Sequence, residues 1–183
     1  METCWHLQLL DDKKSKQEER QMNDASAAAI RAGRGNWATE HRQMYLDSGG
    51  TRGHIMDISD VGGHTLTTHC LLKTSGRRSG RTFINPLIYG TFAGEVVIVA
   101  SKGGADRHPD WYLNIRAHKY VEFQIATQAF RASWREPEGI ERKAVWRYMV
   151  SIFPPYSAYQ ESTDRAIPLV LMHALEPTDS FGV

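Results

Sequence analysis

The sequence predicts an α+β, mainly β domain of barrel type, and three observations point there. From Leu66 onward, β-branched and aromatic residues gather into short runs divided by glycine, the texture of strands joined by tight turns. Only a few segments carry a helical period. They are inserted into the strand series rather than alternating with it, which argues against a regular parallel βαβ sheet. With 183 residues, 41% hydrophobic and 10% aromatic, the chain can fill one core of ordinary size.

Residues 1–50 read as an N-terminal helical arm, partly mobile. Asp12 to Gln21 is rich in lysine and glutamate and Ala25 to Ala29 is an alanine cluster, so helix propensity is good but few large apolar groups can be buried. A solvated extension and an amphipathic helix touching a membrane surface both fit that segment. Trp37 to Leu46 is expected to be a short helix stopped by Gly49 and Gly50.

The barrel domain is assigned to residues 60–176. Its first strands are expected at Leu66 to Lys73, Phe83 to Tyr89 and Glu95 to Ser101. The run Val96 to Ala100 is apolar at every position, which a strand tolerates only when both faces are covered. Pro109 to Ile115 has the character of a helix start. Val121, Phe123 and Ile125 alternate with polar residues, as do Phe130, Ala132 and Trp134, which predicts a hairpin. Ile140, Ala144, Val145, Tyr148, Met149 and Ile152 then fall on one helical stripe, ended by Pro154 and Pro155. Ile167 to Leu175 reads as the last strand and 177–183 as a polar tail.

Charge and motifs exclude several functions. Twenty-two Lys+Arg face 21 Asp+Glu, so no global field attracts nucleic acid. Cys4 and Cys70 form neither a zinc spacing nor a disulfide framework, which suits a reducing cytosol. The apolar stretch Leu7 to Leu10 meets Asp11 and Asp12 at once and is too short for a signal peptide or a membrane span. A cytoplasmic protein is therefore expected, with peripheral contact at the inner face of the plasma membrane if the arm is amphipathic. The eight histidines show no close ligand spacing, so no metal is expected. No dinucleotide glycine fingerprint, phosphate-binding Gly-Lys-Ser/Thr loop or nucleophile turn is present.

Two segments carry chemistry. Between the first two strands, Thr74-Ser75-Gly76-Arg77-Arg78-Ser79-Gly80-Arg81-Thr82 combines two flexible glycines with three guanidiniums and several hydroxyls, a donor set suited to phosphate. A solvated hairpin turn would use similar residues. At the end of the apolar strand, Ala100-Ser101-Lys102-Gly103-Gly104-Ala105 lets a ligand approach the main chain closely, and a plain glycine turn before a helix would also fit. Two such loops on consecutive strand ends favour a shared ligand.

These segments, with Asn85-Pro86-Leu87, His108-Pro109, Trp111-Tyr112-Leu113-Asn114, Pro155-Tyr156, Tyr159-Gln160 and Thr163 to Pro168, resemble the deazaflavin-dependent nitroreductase and quinone reductase family over about Leu66 to Leu175. The resemblance implies a split β-barrel of six or seven mostly antiparallel strands with flanking helices, binding coenzyme F420. It implies that Arg77, Arg78, Ser79, Gly80 and Arg81 hold the phosphate or tail carboxylates, that Asn85 and Pro86 border the ring, and that Ser101, Lys102, Gly103, Gly104 and Ala105 form the opposing wall beside His108. Trp111 would pack beneath that loop. Phe83 stands where many relatives carry a basic residue, and Arg81 is a neighbouring source of charge.

Tyr156 and Tyr159, three apart on a short helical segment, would line the acceptor side with Ser101 and serve catalysis; two aromatics capping the barrel with hydroxyls in solvent would fit the same spacing. Asp164 and Arg165 read as a local structural pair. The implied reaction is hydride transfer from reduced F420 to an electron-poor acceptor: a quinone, nitro compound or conjugated carbonyl. An FMN-dependent oxidoreductase and a non-catalytic cofactor or lipid carrier are the alternatives. A monomer or homodimer is expected.

Overall fold

The structure, a computed structural model, describes residues 36–182. The lysine-rich segment, the alanine cluster and Cys4 lie outside the described residues, and with them the expectation of membrane contact.

Helix α1 (Trp37–Asp47) opens the described chain and buries His41 and Tyr45, which lie one turn apart on the same face. Gly49 and Gly50 end it in left-handed conformations, with φ of 60° and 92°. Gly50 has a second constraint, because a Cβ there would run into the Ala126 carbonyl. Tyr45 pins this helix to the barrel: it is fully buried, and its hydroxyl accepts the Ala126 N–H at 2.8 Å.

The strands are β1 (Ile55–Met56), β2 (Thr67–Ser75), β3 (Thr82–Phe92), β4 (Glu95–Val99), β5 (Tyr120–Ile125), β6 (Gln128–Arg135) and β7 (Leu169–Thr178). Six of them close a barrel in the order β2-β3-β4-β7-β6-β5, with β5 pairing back to β2, and every pairing is antiparallel. Closure occupies only Leu71 to Lys73 of β2. At the start of β2, Thr67 and Thr68 pair with β1 instead, so the edge that β5 leaves is taken by a short strand rather than left open.

Helix α2 (Asp110–Ile115) joins β4 to β5, and α3 (Gly139–Ile152) and α4 (Tyr156–Glu161) join β6 to β7. The apolar run of β4, which follows Glu95, is covered on both faces. Ile98 and Ala100 belong to one buried cluster with Leu72, Trp111, Ile115 and Phe123, whereas Val97 and Val99 belong to another with Val145, Met149, Phe153, Tyr156 and Tyr159. β7 alternates likewise, Val170 and Met172 against Leu169 and Leu171. Each such fully buried aliphatic side chain contributes about 1.5–3 kcal/mol.

Several boundaries differ from the sequence reading: β2 runs on to Ser75 and β3 to Phe92. β4 ends at Val99 because Ser101 already enters a 3₁₀ turn over Lys102–Gly104. β7 continues to Thr178, paired with β6 as far as Ala129, so the segment expected as a polar tail begins inside the sheet. Its Phe181 is buried, with the backbone N–H donating to Gln124 Oε1 at 2.6 Å. The expected end of the arm at residue 50 also sits against the barrel, since α1 carries the Tyr45 anchor.

Removing the anchor hydroxyl, Tyr45→Phe, strands the Ala126 N–H and is expected to cost about 1–3 kcal/mol in urea unfolding with an unchanged m-value. Burial holds the pKa of His41 and of His54 below the ordinary histidine value. The unfolded chain therefore binds more protons below its histidine pKa of about 6.5, and the stability gained from neutral imidazoles is lost as pH falls through the lower folded values. Unfolding followed from pH 7.5 to 5 should show declining stability, with a shallower decline in His41→Gln.

Candidate functional site

Two clefts meet at the Trp111 side chain. The first, of about 260 Å³, lies over the outer face of β3 and β4 and has a largely aromatic and aliphatic wall: Trp37, Pro86, Leu87, Ile88, Val99, Pro109, Trp111, Phe153, Tyr156 and Tyr159. Its polar groups are few: His69, Ser101, Lys102 and the Gly103 backbone. The second, of about 300 Å³, is walled by Gly76, Arg77, Arg78, Ser79, Phe83, Asn85, Asp110, Trp111 and Asn114. An apolar slot and a cationic one that share Trp111 as a wall suit a ligand with a flat ring system and an anionic tail.

The arginine turn is held by α2. Asn114 Oδ1 accepts both the backbone N–H of Arg77 at 3.2 Å and its guanidinium Nη1 at 3.1 Å, and Asp110 Oδ1 stands 3.7 Å from that guanidinium. Arg77 is thus oriented and partly neutralised. Arg78 has no carboxylate partner among the described residues. The hairpin closes through Gly76 N–H to the Arg81 carbonyl and Gly80 N–H to the Gly76 carbonyl, both 2.8 Å. A side chain at Gly76 would strike the Ser79 hydroxyl and the Phe83 ring, which is why the turn starts on glycine.

The second loop is wound tightly. Lys102, Gly103 and Gly104 all have positive φ, of 51°, 62° and 78°. For a lysine that conformation is costly, and such strain concentrates at ligand sites. Gly104 faces away from the cleft, where a Cβ would meet the Ser162 hydroxyl and lie 2.9 Å from the Tyr159 carbonyl. The packing of this loop on α4 therefore needs glycine.

Arg165, expected as a local partner of Asp164, instead reaches across to the loop. Its Nε donates to the Ala105 carbonyl at 2.8 Å, and Nη2 donates to the carbonyls of Ser101 at 2.6 Å and Ala100 at 3.3 Å. Nη1 lies 3.2 Å from His108 Nδ1. One guanidinium thereby collects carbonyls from both ends of the turn, as its planar fork of donors allows. Burial, followed by the charges of Arg165 and Arg116, holds the His108 pKa below the ordinary value, so its ring is neutral and can accept from Arg165.

The candidate residues divide between wall and support. Pro86, Ser101, Lys102, Gly103, Trp111, Tyr156 and Tyr159 line the first cleft, and Arg77, Arg78, Ser79, Asn85 and Trp111 the second. Gly104, Ala105 and His108 are contacts behind the loop, while Gly80 and Arg81 shape the hairpin without lining either cleft. Tyr156 and Tyr159 are 4% and 3% exposed and meet edge to face at 6.2 Å, so they are interior wall residues rather than a solvent-facing cap. Trp37 and His69 also line the first cleft, although the sequence reading placed them only in the first helix and the first strand. Among the described residues no group of three His, Cys, Asp or Glu side chains could hold a metal ion.

Comparison with known proteins shows the family. The family model described as F420H(2)-dependent quinone reductase matches residues 37–174. An F420H(2)-dependent quinone reductase of Mycobacterium tuberculosis is 30% identical over 105 residues, covering 56% of this chain and 70% of that protein. A solved F420-H2 dependent reductase is 38% identical with a TM-score of 0.53, covering 57% of this chain and 93% of its own. Another solved structure, described as a domain-swapped dimer, is 34% identical with a TM-score of 0.56 over 75% of this chain and 98% of its own.

Replacing the clamp by Arg165→Met leaves the loop carbonyls without their charged donor and is expected to cost about 1.5–3 kcal/mol. Amide exchange should quicken first in residues 101–105. Uniform acceleration throughout the barrel would argue against a local clamp.

Proposed function

Because the chain belongs to the F420H(2)-dependent quinone reductase family, we propose that it passes a hydride from reduced coenzyme F420 to a quinone-type acceptor, with the deazaflavin in the aromatic cleft and the phosphate at the arginine turn. The observation that supports this assignment of residues most directly is the junction of the two clefts at Trp111. The donor set fits the cofactor: a mostly apolar slot for a planar ring, a loop whose Gly103 lets the ring lie near main chain, and guanidiniums with a serine hydroxyl for phosphate.

When bound, the deazaflavin supplies a two-electron hydride from carbon 5, so the protein's work is to bind, orient and exclude water. Arg78 and Ser79 take the anionic tail, and Arg77, held by Asn114, fixes the hairpin that presents them. Phe83 places a half-exposed ring, rather than a charge, in that cleft. Lys102 brings positive charge to the ring slot. Reduction of a quinone to its hydroquinone needs one proton besides the hydride, and a Tyr156 or Tyr159 hydroxyl, or water, supplies it. Ser101 borders the same space and orients the acceptor. Nitro compounds and conjugated carbonyls of similar width are further acceptors. The described helices include none long and apolar enough to cross a membrane. A homodimer is the assembly we favour, supported by the relative described as a domain-swapped dimer.

The direct test is anaerobic oxidation of F420H2 with menadione as acceptor, compared with reduced FMN and nicotinamide donors. Turnover with F420H2 alone is expected; turnover confined to another donor would reject the proposal. In a fluorescence titration, Arg78→Ala should raise the Kd for F420 about 10- to 100-fold, the loss of one or two charge-assisted hydrogen bonds. Tyr156→Phe combined with Tyr159→Phe should lower kcat by about 100-fold or more while leaving that Kd within about threefold, if a tyrosine delivers the proton.

A further inference from the structure

A third cleft, of about 260 Å³, opens on the other side of the Arg77–Asn114 contact, between the ends of β2 and β3 and the start of β5. We propose that it is a second anion site, built for a small carboxylate- or phosphate-bearing ligand and separate from the clefts assigned to the cofactor.

Charge is the first argument. Lys73, Lys119 and Arg131 line the cleft against a single carboxylate, Glu122. Glu122 is matched by Lys73 at 2.7 Å, so its charge is already answered. Arg131 is held in place from outside by Glu176 at 2.9 Å and lies 4.1 Å over the Tyr120 ring. Lys119 has no carboxylate partner among the described residues; its Nζ rests 5.2 Å from the centroid of the same ring. Two cations thus gather about Tyr120, and one of them lacks a counter-charge.

A buried hydroxyl is the second, independent argument. Thr74 lines the cleft, is 6% exposed, and its Oγ1 finds no hydrogen-bond partner. Buried hydroxyls are nearly always satisfied, so one left without a partner in the wall of the cleft that Lys119 also lines marks a place where an acceptor fits.

Position decides how such an anion would act. Ser75 and Thr82, register partners at the base of the arginine hairpin, are in this cleft's wall, and Ile115 follows Asn114, which holds Arg77. Occupancy here is coupled to ligand affinity at the turn, and the coupling is reciprocal. The ligand is a free small acid, bound independently of the molecule whose phosphate lies at the turn.

Calorimetric titration of the whole protein with citrate and with inorganic phosphate tests the site. Binding should survive Arg77→Ala/Arg78→Ala and weaken about tenfold in Lys119→Glu, a charge reversal at an exposed residue, with a smaller loss in Thr74→Val. If Lys119→Glu weakens citrate alone, the source is a free acid. If it also weakens F420 and citrate competes with F420, the cleft belongs to the cofactor's own tail contacts and the proposal of a separate site falls. Binding that vanishes with the turn arginines but ignores Lys119→Glu, or no binding at all, overturns the proposal whatever the fate of the F420 assignment.

Discussion

From Val97 to Val99, β4 has no solvent face, and much else in the structure answers to that constraint. Val97 and Val99 require a cover on one side, supplied by α3 and α4, and Ile98 and Ala100 require one on the other, supplied by the barrel interior with Trp111 and Ile115. A strand so enclosed can meet a ligand only at its end. The chain turns at Ser101 where the apolar run stops, and both covers, Trp111 of α2 and the tyrosines of α4, reach that turn and become cleft walls. Core packing and the candidate site are in this sense one arrangement of the same side chains.

That arrangement leaves the loop itself with little packing of its own. Three consecutive positive-φ residues cannot be held by a ladder of backbone hydrogen bonds, and the work falls to side chains from elsewhere. Arg165 gathers the carbonyls, Gly104 allows contact with α4, and Asn114 performs the corresponding task for the arginine hairpin. Pre-setting both loops lowers the entropy that a ligand would otherwise spend on ordering them. It also explains why the polar groups nearest the clefts are mostly anchored by others rather than by their immediate sequence neighbours.

Much of this was legible from the chain. Alternation identified β5 and β6, the one-sided stripe identified α3 although its first member, Ile140, is exposed, and the unbroken apolar run identified β4 as central, because each pattern reports burial on a repeat set by local backbone geometry. The arginine turn and the glycine loop were legible because their residue types serve few purposes other than turning and binding. The length of β7 was not, since Glu176 and Pro177 are poor strand signals and only the partner strand β6 extends the ladder to Thr178. Nor was the burial of Phe181, which depends on Gln124, 57 positions away.

The sequence by itself determined the β-rich class, the order of the main elements and the two loops whose residue types suit anion binding and close approach. These are local properties, written in periodicity and in the conformational limits of glycine and proline. Only the tertiary structure decided which residues share a wall: that Trp37 and His69 join the tyrosines, that Trp111 stands between the two clefts, and that Arg165 serves the loop 60 positions before it. The reason is physical. Closing six antiparallel strands brings together segments whose separation along the chain contains no information about their distance in space, and a guanidinium or an indole declares its partner only when the barrel has placed one within reach.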